Sequence, residues 1–246
     1  MRPTPSRLHA LVPLLLLAAG ALRAQPPAAP AATAAPAWTL DEAASLFAVL
    51  THKAGLGARL AHDHLVVARA PQVAIRFDPD RPAAAELDFS LPVLALDVDP
   101  PGERAARAER LRVLGVLSGE LPPVDPGDRD KVREAMLAPT QLFASRFPHV
   151  TAELRGLARR GGAAGARVAL GWDATVKVTV RDRTVERRIP VRFEIDGDRL
   201  TAEALGEFRF TEFGIEPYSA FLGAVRNEDL FHLVVELTAR RAPTAD

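Results

Sequence analysis

The sequence predicts an all-β chain that closes as an antiparallel barrel of about eight strands, with a helical excursion between its early and late strands. Three observations support this. Apolar and polar residues alternate with a period of two along several stretches, most clearly 175–180, 188–195 and 231–239. Turn residues such as Asp196-Gly197 separate those stretches. Only two segments, 103–115 and 127–137, have helical patterning instead. A two-sheet sandwich is the alternative closure.

The chain begins with a segment of a different kind. Residues 1–24 hold Arg2, Arg7 and Arg23 and no acid, with an apolar run from Leu11 to Ala19 and small residues at Ala21 and Ala24. This is the layout of a secretory signal, and the run is too short to span a bilayer. Residues 25–37 have no charge, no aromatic residue and four prolines, and read as an extended tether. The folded part is then 38–246. The whole chain balances 31 basic against 31 acidic residues, but removing the signal leaves a net charge of −3. These features predict a periplasmic or secreted protein that is not integral to the membrane once the signal is removed. With no basic excess it is not expected to bind nucleic acid. Cysteine is absent, which excludes disulfides, thiolate nucleophiles and cysteine-bound metals.

The strands follow in order. Residues 85–91 place Leu87, Phe89 and Leu91 on one face. In 175–180 Val176, Val178 and Val180 share a face, and in 188–195 so do Ile189, Val191, Phe193 and Ile195. A run from Arg199 ends on Phe208 and Phe210, and 231–239 aligns Phe231, Leu233, Val235, Leu237 and Ala239. One apolar and one wet face per strand fits antiparallel sheet. Arg181–Thr184 reads as a longer loop, and Gly161-Gly162 with Gly165 as a flexible turn. In the helical segments, Asp128 or Asp130 would cap the second. Arg104, Arg107, Arg110 and Arg112 alternate with Glu103 and Glu109 on the first, which reads as a solvated face of intrahelical ion pairs.

The inward faces of such a barrel are the candidate binding wall: Phe47, Val49, Phe89, Leu91, Val176, Val178, Val191, Phe193, Phe208, Phe210, Leu233 and Val235. They suit an apolar ligand and a dry packed core alike. The segment with Phe213, Tyr218, Phe221 and Leu222 reads as a loop that lines or plugs a mouth, or packs in the core. The sharpest polar feature is His62-Asp63-His64. On a strand the two imidazoles share a face, within reach of one divalent ion, with His52 as a third ligand. The same pair also suits a polar anchor for a ligand head group, or a purely structural role. Asp63 reads as a turn cap or a partner of Arg59 or Arg69. His149 and His232 lie on polar faces and read as solvated, as do the strand-end acids Asp78, Asp80, Asp97 and Asp99. No nucleophile elbow, phosphate loop or dinucleotide fingerprint is present, so no catalytic residue and no cofactor is assigned.

The order of several short motifs resembles the YceI-like family. They are Trp38-Thr39-Leu40-Asp41 with Ser45, His52 followed by Gly55, Phe77-Asp78, and Arg129-Asp130-Lys131 with Met136-Leu137. Phe143 with Phe147-Pro148, the hairpin across 170–193, and Phe210-Thr211-Glu212-Phe213-Gly214-Ile215 complete the series. The resemblance runs from about Trp38 to Ala239. It implies an exported lipocalin-like barrel that holds a long isoprenoid or similar amphipathic lipid in an apolar cavity, without catalysis.

Overall fold

The computed structural model describes residues 37–160 and 171–242. The signal, nearly all of the tether and the glycine turn at 161–165 lie outside these residues. Ala37, counted above with the tether, is the first residue of β1.

The elements run β1 (Ala37–Leu40), β2 (Leu46–Ala54), β3 (His64–Ala68), β4 (Gln72–Arg76), β5 (Glu86–Pro92) and β6 (Leu96–Val98). Then come α1 (Glu103–Val113) and α2 (Pro126–Leu137), followed by β7 (His149–Arg159), β8 (Trp172–Val180), β9 (Arg183–Asp196), β10 (Arg199–Arg209), β11 (Ser219–Ala220) and β12 (Val225–Arg241). The early strands come as halves of bent strands. Both β1 and β2 pair with β12, at Trp38↔Arg241 and Val49↔Leu233. β4 and β3 line up beside them, at Trp38↔Ile75 and Val49↔Val66, and β5 and β6 continue outward from those. The result is an eight-lane antiparallel meander whose last lane, β12, closes on the first. Closure pairs both edges of every lane except at β6, which bonds to β3 alone among the described strands. Three lanes precede the helices and five follow, against the four and four or five expected.

The turns follow from local chemistry. Gly197, at φ +58°, makes the tight β9–β10 hairpin. The β8–β9 connection is shorter than the longer loop expected. Val180 pairs with Arg183, and Arg181 takes the left-handed conformation a glycine usually supplies, φ 59°. Helix α2 starts one residue earlier than expected. Its cap is Asp125, which accepts from the Gly127 N–H at 2.8 Å, rather than Asp128 or Asp130.

Two apolar cores result. One fills the barrel. The other lies outside it, where α1 and the segment after it press Ala108, Leu111, Leu114, Val116, Leu117 and Leu121 onto the outer faces of β2, β3 and β12. Leu46, Ala48 and Leu50 of β2 face this outer core, while Phe47 and Val49 face inward. Burial on both sides explains why 46–50 reads as an unbroken apolar run instead of an alternation. The arginines of α1 do more than pair within the helix. Arg107 does reach Glu103 (3.2 Å) and Arg112 reaches Glu109 (2.9 Å), as expected. But Arg107 also bonds Glu236 of β12 (3.1 Å), and Arg110 bonds both Glu203 of β10 (2.5 Å) and Glu236 (3.2 Å). These tie the helix to the barrel wall.

Apolar burial should dominate that attachment. Leu111 is fully buried, so Leu111→Ala is expected to cost about 2–5 kcal/mol in urea unfolding. Arg110→Ala, which removes half-exposed ion pairs, should cost under about 1 kcal/mol. If the order of the two losses is reversed, the salt bridges and not the outer core hold α1.

Candidate functional site

The two halves of the barrel interior differ. At the far end Trp38 donates its indole N–H to the Phe77 carbonyl at 2.9 Å. Phe193 packs against Phe77 and Trp172, with ring centroids 4.8 and 5.3 Å apart. Arg241 lies over Trp38 and Arg159 over Trp172, closing that end with cation–π contacts. Only a small void of about 60 Å³ remains there.

The other half is open. A chamber of about 360 Å³ is lined by β2, β3, β5, β7, β8, β9, β10 and β12, and α2 adds Val132, Ala135 and Met136 at the end where Thr51, His64 and Val180 stand. Short side chains make the room. Ala152 and Ala204 line the chamber at positions where their strand neighbours carry Leu, Val or Phe. At Gly206 a Cβ would come within 2.9 Å of the Phe208 ring and 3.3 Å of Ile189, so only glycine lets that ring lie where it does.

Of the twelve residues named above as the binding wall, nine line this chamber: Phe47, Val49, Phe89, Val176, Val178, Phe208, Phe210, Leu233 and Val235. The other three do not. Leu91 is fully buried away from it, and Val191 and Phe193 belong to the packed far half. The sequence reading missed the α2 residues and Thr51. Met136 and Val132 fall on one face of a helix, four residues apart, and that spacing was the available signal. Phe213 and Tyr218 both line the chamber, Phe213 as a fully buried core ring against Phe208 and Phe231, and Gln141 donates to the Glu216 carbonyl at 3.0 Å, linking the segment after α2 to that loop.

The three histidines separate. His64 faces the chamber, and its Nδ1 lies 2.6 Å from Asp99 Oδ2. His52 stands on the opposite face of the sheet, with its Nε2 2.8 Å from Nδ1 of His232. His62 precedes β3 instead of lying on it, with its ring 6.4 Å from that of His64. The alternative in which His52, His62 and His64 bind one metal therefore lacks its third ligand. Among the described residues no three His, Asp or Glu side chains gather to hold an ion. Asp63 accepts from the Lys53 N–H (2.9 Å) and does not pair with Arg59 or Arg69. His149 is exposed, as expected, but His232 is only 9% exposed and so is not solvated. Burial and the neighbouring His52 push its pKa down, against Glu207. Burial, then the charges of His64, Arg104 and Lys53, lower that of His62.

Asp99 corrects another expectation. It is 2% exposed, not solvated. Its Oδ1 accepts from the Leu65 N–H (2.9 Å) and from the Arg104 guanidinium. Arg104, 3% exposed, also donates to the carbonyls of Asp63 (2.7 Å) and Pro122 (2.5 Å). Burial alone would raise the Asp99 carboxyl pKa. The hydrogen bond and charge of His64, the Leu65 amide and Arg104 together outweigh it and hold the carboxyl below its ordinary 3.8. The group thus links β3, α1 and the segment between the helices behind the chamber wall.

No family profile and no curated protein matches the chain by sequence. Solved structures do match by shape. BcnA of Burkholderia cenocepacia superimposes with a TM-score of 0.55 at 12% identity, over 81% of this chain and 98% of that one. A YCEI protein of Campylobacter jejuni gives 0.47 at 11% identity, over 72% and 85%. A polyisoprenoid binding domain from Saccharophagus degradans gives 0.46 at 10% identity, over 84% and 99%. At these identities the likeness is one of fold, and the BcnA superposition is the one that bears on it.

The buried Asp99 sets a pH dependence. A carboxyl with a lowered folded-state pKa adds stability that is fully present above its unfolded value and is lost as pH falls through the folded one. Asp99→Asn is expected to cost about 3–5 kcal/mol at neutral pH, because Arg104 is left buried without its counter-charge. It should also flatten the acid limb of a melting-temperature profile below the ordinary carboxylate pKa. An unchanged acid limb would show that Asp99 is not ionised in the folded protein.

Proposed function

We propose that the chain is a YceI-like barrel that binds an amphipathic lipid, its apolar chain inside the chamber, and catalyses no reaction. The observation that supports this is the chamber itself: about 360 Å³, walled by Phe, Val, Leu and Ile in a barrel whose other half is tightly packed. Each methylene moved from water into such a wall gains about 0.8 kcal/mol, so a chain of modest length binds with few polar contacts. The motif series from Trp38 to Ile215 points the same way.

Export belongs to the same reading, with residues 1–24 as the removed signal and the folded part working outside the cytoplasm. The protein recovered from a periplasmic fraction should begin after Ala21 or Ala24 when its N-terminus is sequenced. A start at Met1 would overturn that part.

For the ligand, the protein purified from its own host should release an amphipathic lipid on solvent extraction, at close to one per chain by mass spectrometry. Ala204→Phe fills the chamber from β10. It is expected to weaken uptake of a neutral apolar dye such as phenylnaphthylamine more than tenfold while the barrel stays folded by circular dichroism. No extractable lipid, together with undiminished dye uptake in the filled variant, would sink the proposal.

A further inference from the structure

Among the polar residues that line the chamber, Thr51 and His64 stand side by side on adjacent strands, and their chemistry selects a head group. Thr51 is the inward residue of β2 that follows Phe47 and Val49, and it sits directly across from His64 on β3. Thr51 is 7% exposed, lines the chamber, and its Oγ1 has no hydrogen-bond partner. Buried hydroxyls in folded proteins are ordinarily partnered, and valine fills the same space with no polar atom to satisfy. A threonine at this position is therefore a donor and acceptor held ready for something that enters the chamber.

His64 completes the pair. Its Nδ1 is turned to Asp99, an ionised carboxylate that accepts only, so the shared proton sits on Nδ1. The remaining nitrogen, Nε2, has no partner in the protein and faces the chamber side of the ring. Thr51 can donate or accept, and a hydroxyl, which also does both, is the group that answers it and the imidazole nitrogen together. An anionic head group fits poorly. It would bring negative charge toward the Asp99 carboxylate behind the ring, and Arg104, whose Nη1 pairs with that carboxylate, does not line the chamber. Lys131, the cation in the lining, is paired with Asp128 at 2.9 Å.

We infer that Thr51 and His64, set by Asp99, form a head-group subsite for a lipid alcohol, with its hydroxyl at the α2 end of the chamber and its chain toward the far half. The inference rests on the lipid-binding reading above.

The test is displacement of bound phenylnaphthylamine by farnesol and by farnesyl phosphate, on the wild-type chain and on Thr51→Val and Thr51→Ser. Farnesol should displace the dye at lower concentration than the phosphate. Thr51→Val should weaken farnesol about tenfold, the equivalent of one hydrogen bond, while the dye's own affinity stays within about twofold. Thr51→Ser, which keeps the hydroxyl, should restore most of the farnesol affinity. Farnesol binding Thr51→Val as tightly as wild type, or the phosphate competing as well as the alcohol, would overturn the subsite and leave the lipid reading standing. A dye that never enters the wild-type chamber would remove both.

Discussion

The structure depends on the closure of β12 onto the first lane. This strand runs from Val225 to Arg241, pairs with β10 along one edge, and on the other meets first β2 and then β1. Closure fixes the number of lanes and so the width of the interior, and an eight-strand interior is about the width that side chains can just fill. What remains to vary is side-chain size. Large rings at Phe77, Trp172 and Phe193 fill one half, while Ala152 and Ala204 leave the other hollow. The same backbone thus yields a packed floor and a chamber, with a handful of residue volumes making the difference.

The outside of the barrel answers a second constraint. Early lanes that are apolar on both faces must be covered, and α1 supplies the cover through Leu111 and its neighbours. The buried Asp99–Arg104 pair sits where this covering helix begins. Such pairs contribute little net stability against an apolar substitute, but they fix geometry, because either partner left alone is costly. Here the fixed geometry includes the ring of His64, so the cover outside the barrel and the polar spot inside it share one set of hydrogen bonds.

Much of this was legible in the sequence, and the limits have physical causes. The late strands were plain because each has one wet face: Val176, Val178 and Val180 alternate with polar residues, and Asp196-Gly197 marks its hairpin. The early lanes were harder, since burial on both sides erases alternation in Leu46–Leu50. Leu91, Val191 and Phe193 were placed on the binding wall because a period of two tells which face a residue takes but not its height along the barrel. Asp99 reads as an ordinary strand-end acid, since nothing local announces Arg104, which reaches it from the first turn of a helix. His62 and His64, with His52 as a third, looked like partners from their spacing, yet His52 and His64 have others, His232 and Asp99, supplied by strand pairing or by a distant loop.

The packed floor has a consequence for traffic. Among the described residues, rings and stacked arginines fill one end of the interior, and the chamber lies at the other, beside α2. Under the binding proposed above, a chain-like occupant enters tail first and leaves head first, past α2. Loading and release are then the same path run in opposite directions. On that reading the twelve-residue helix α2, which lines the chamber, stands beside the path in both directions.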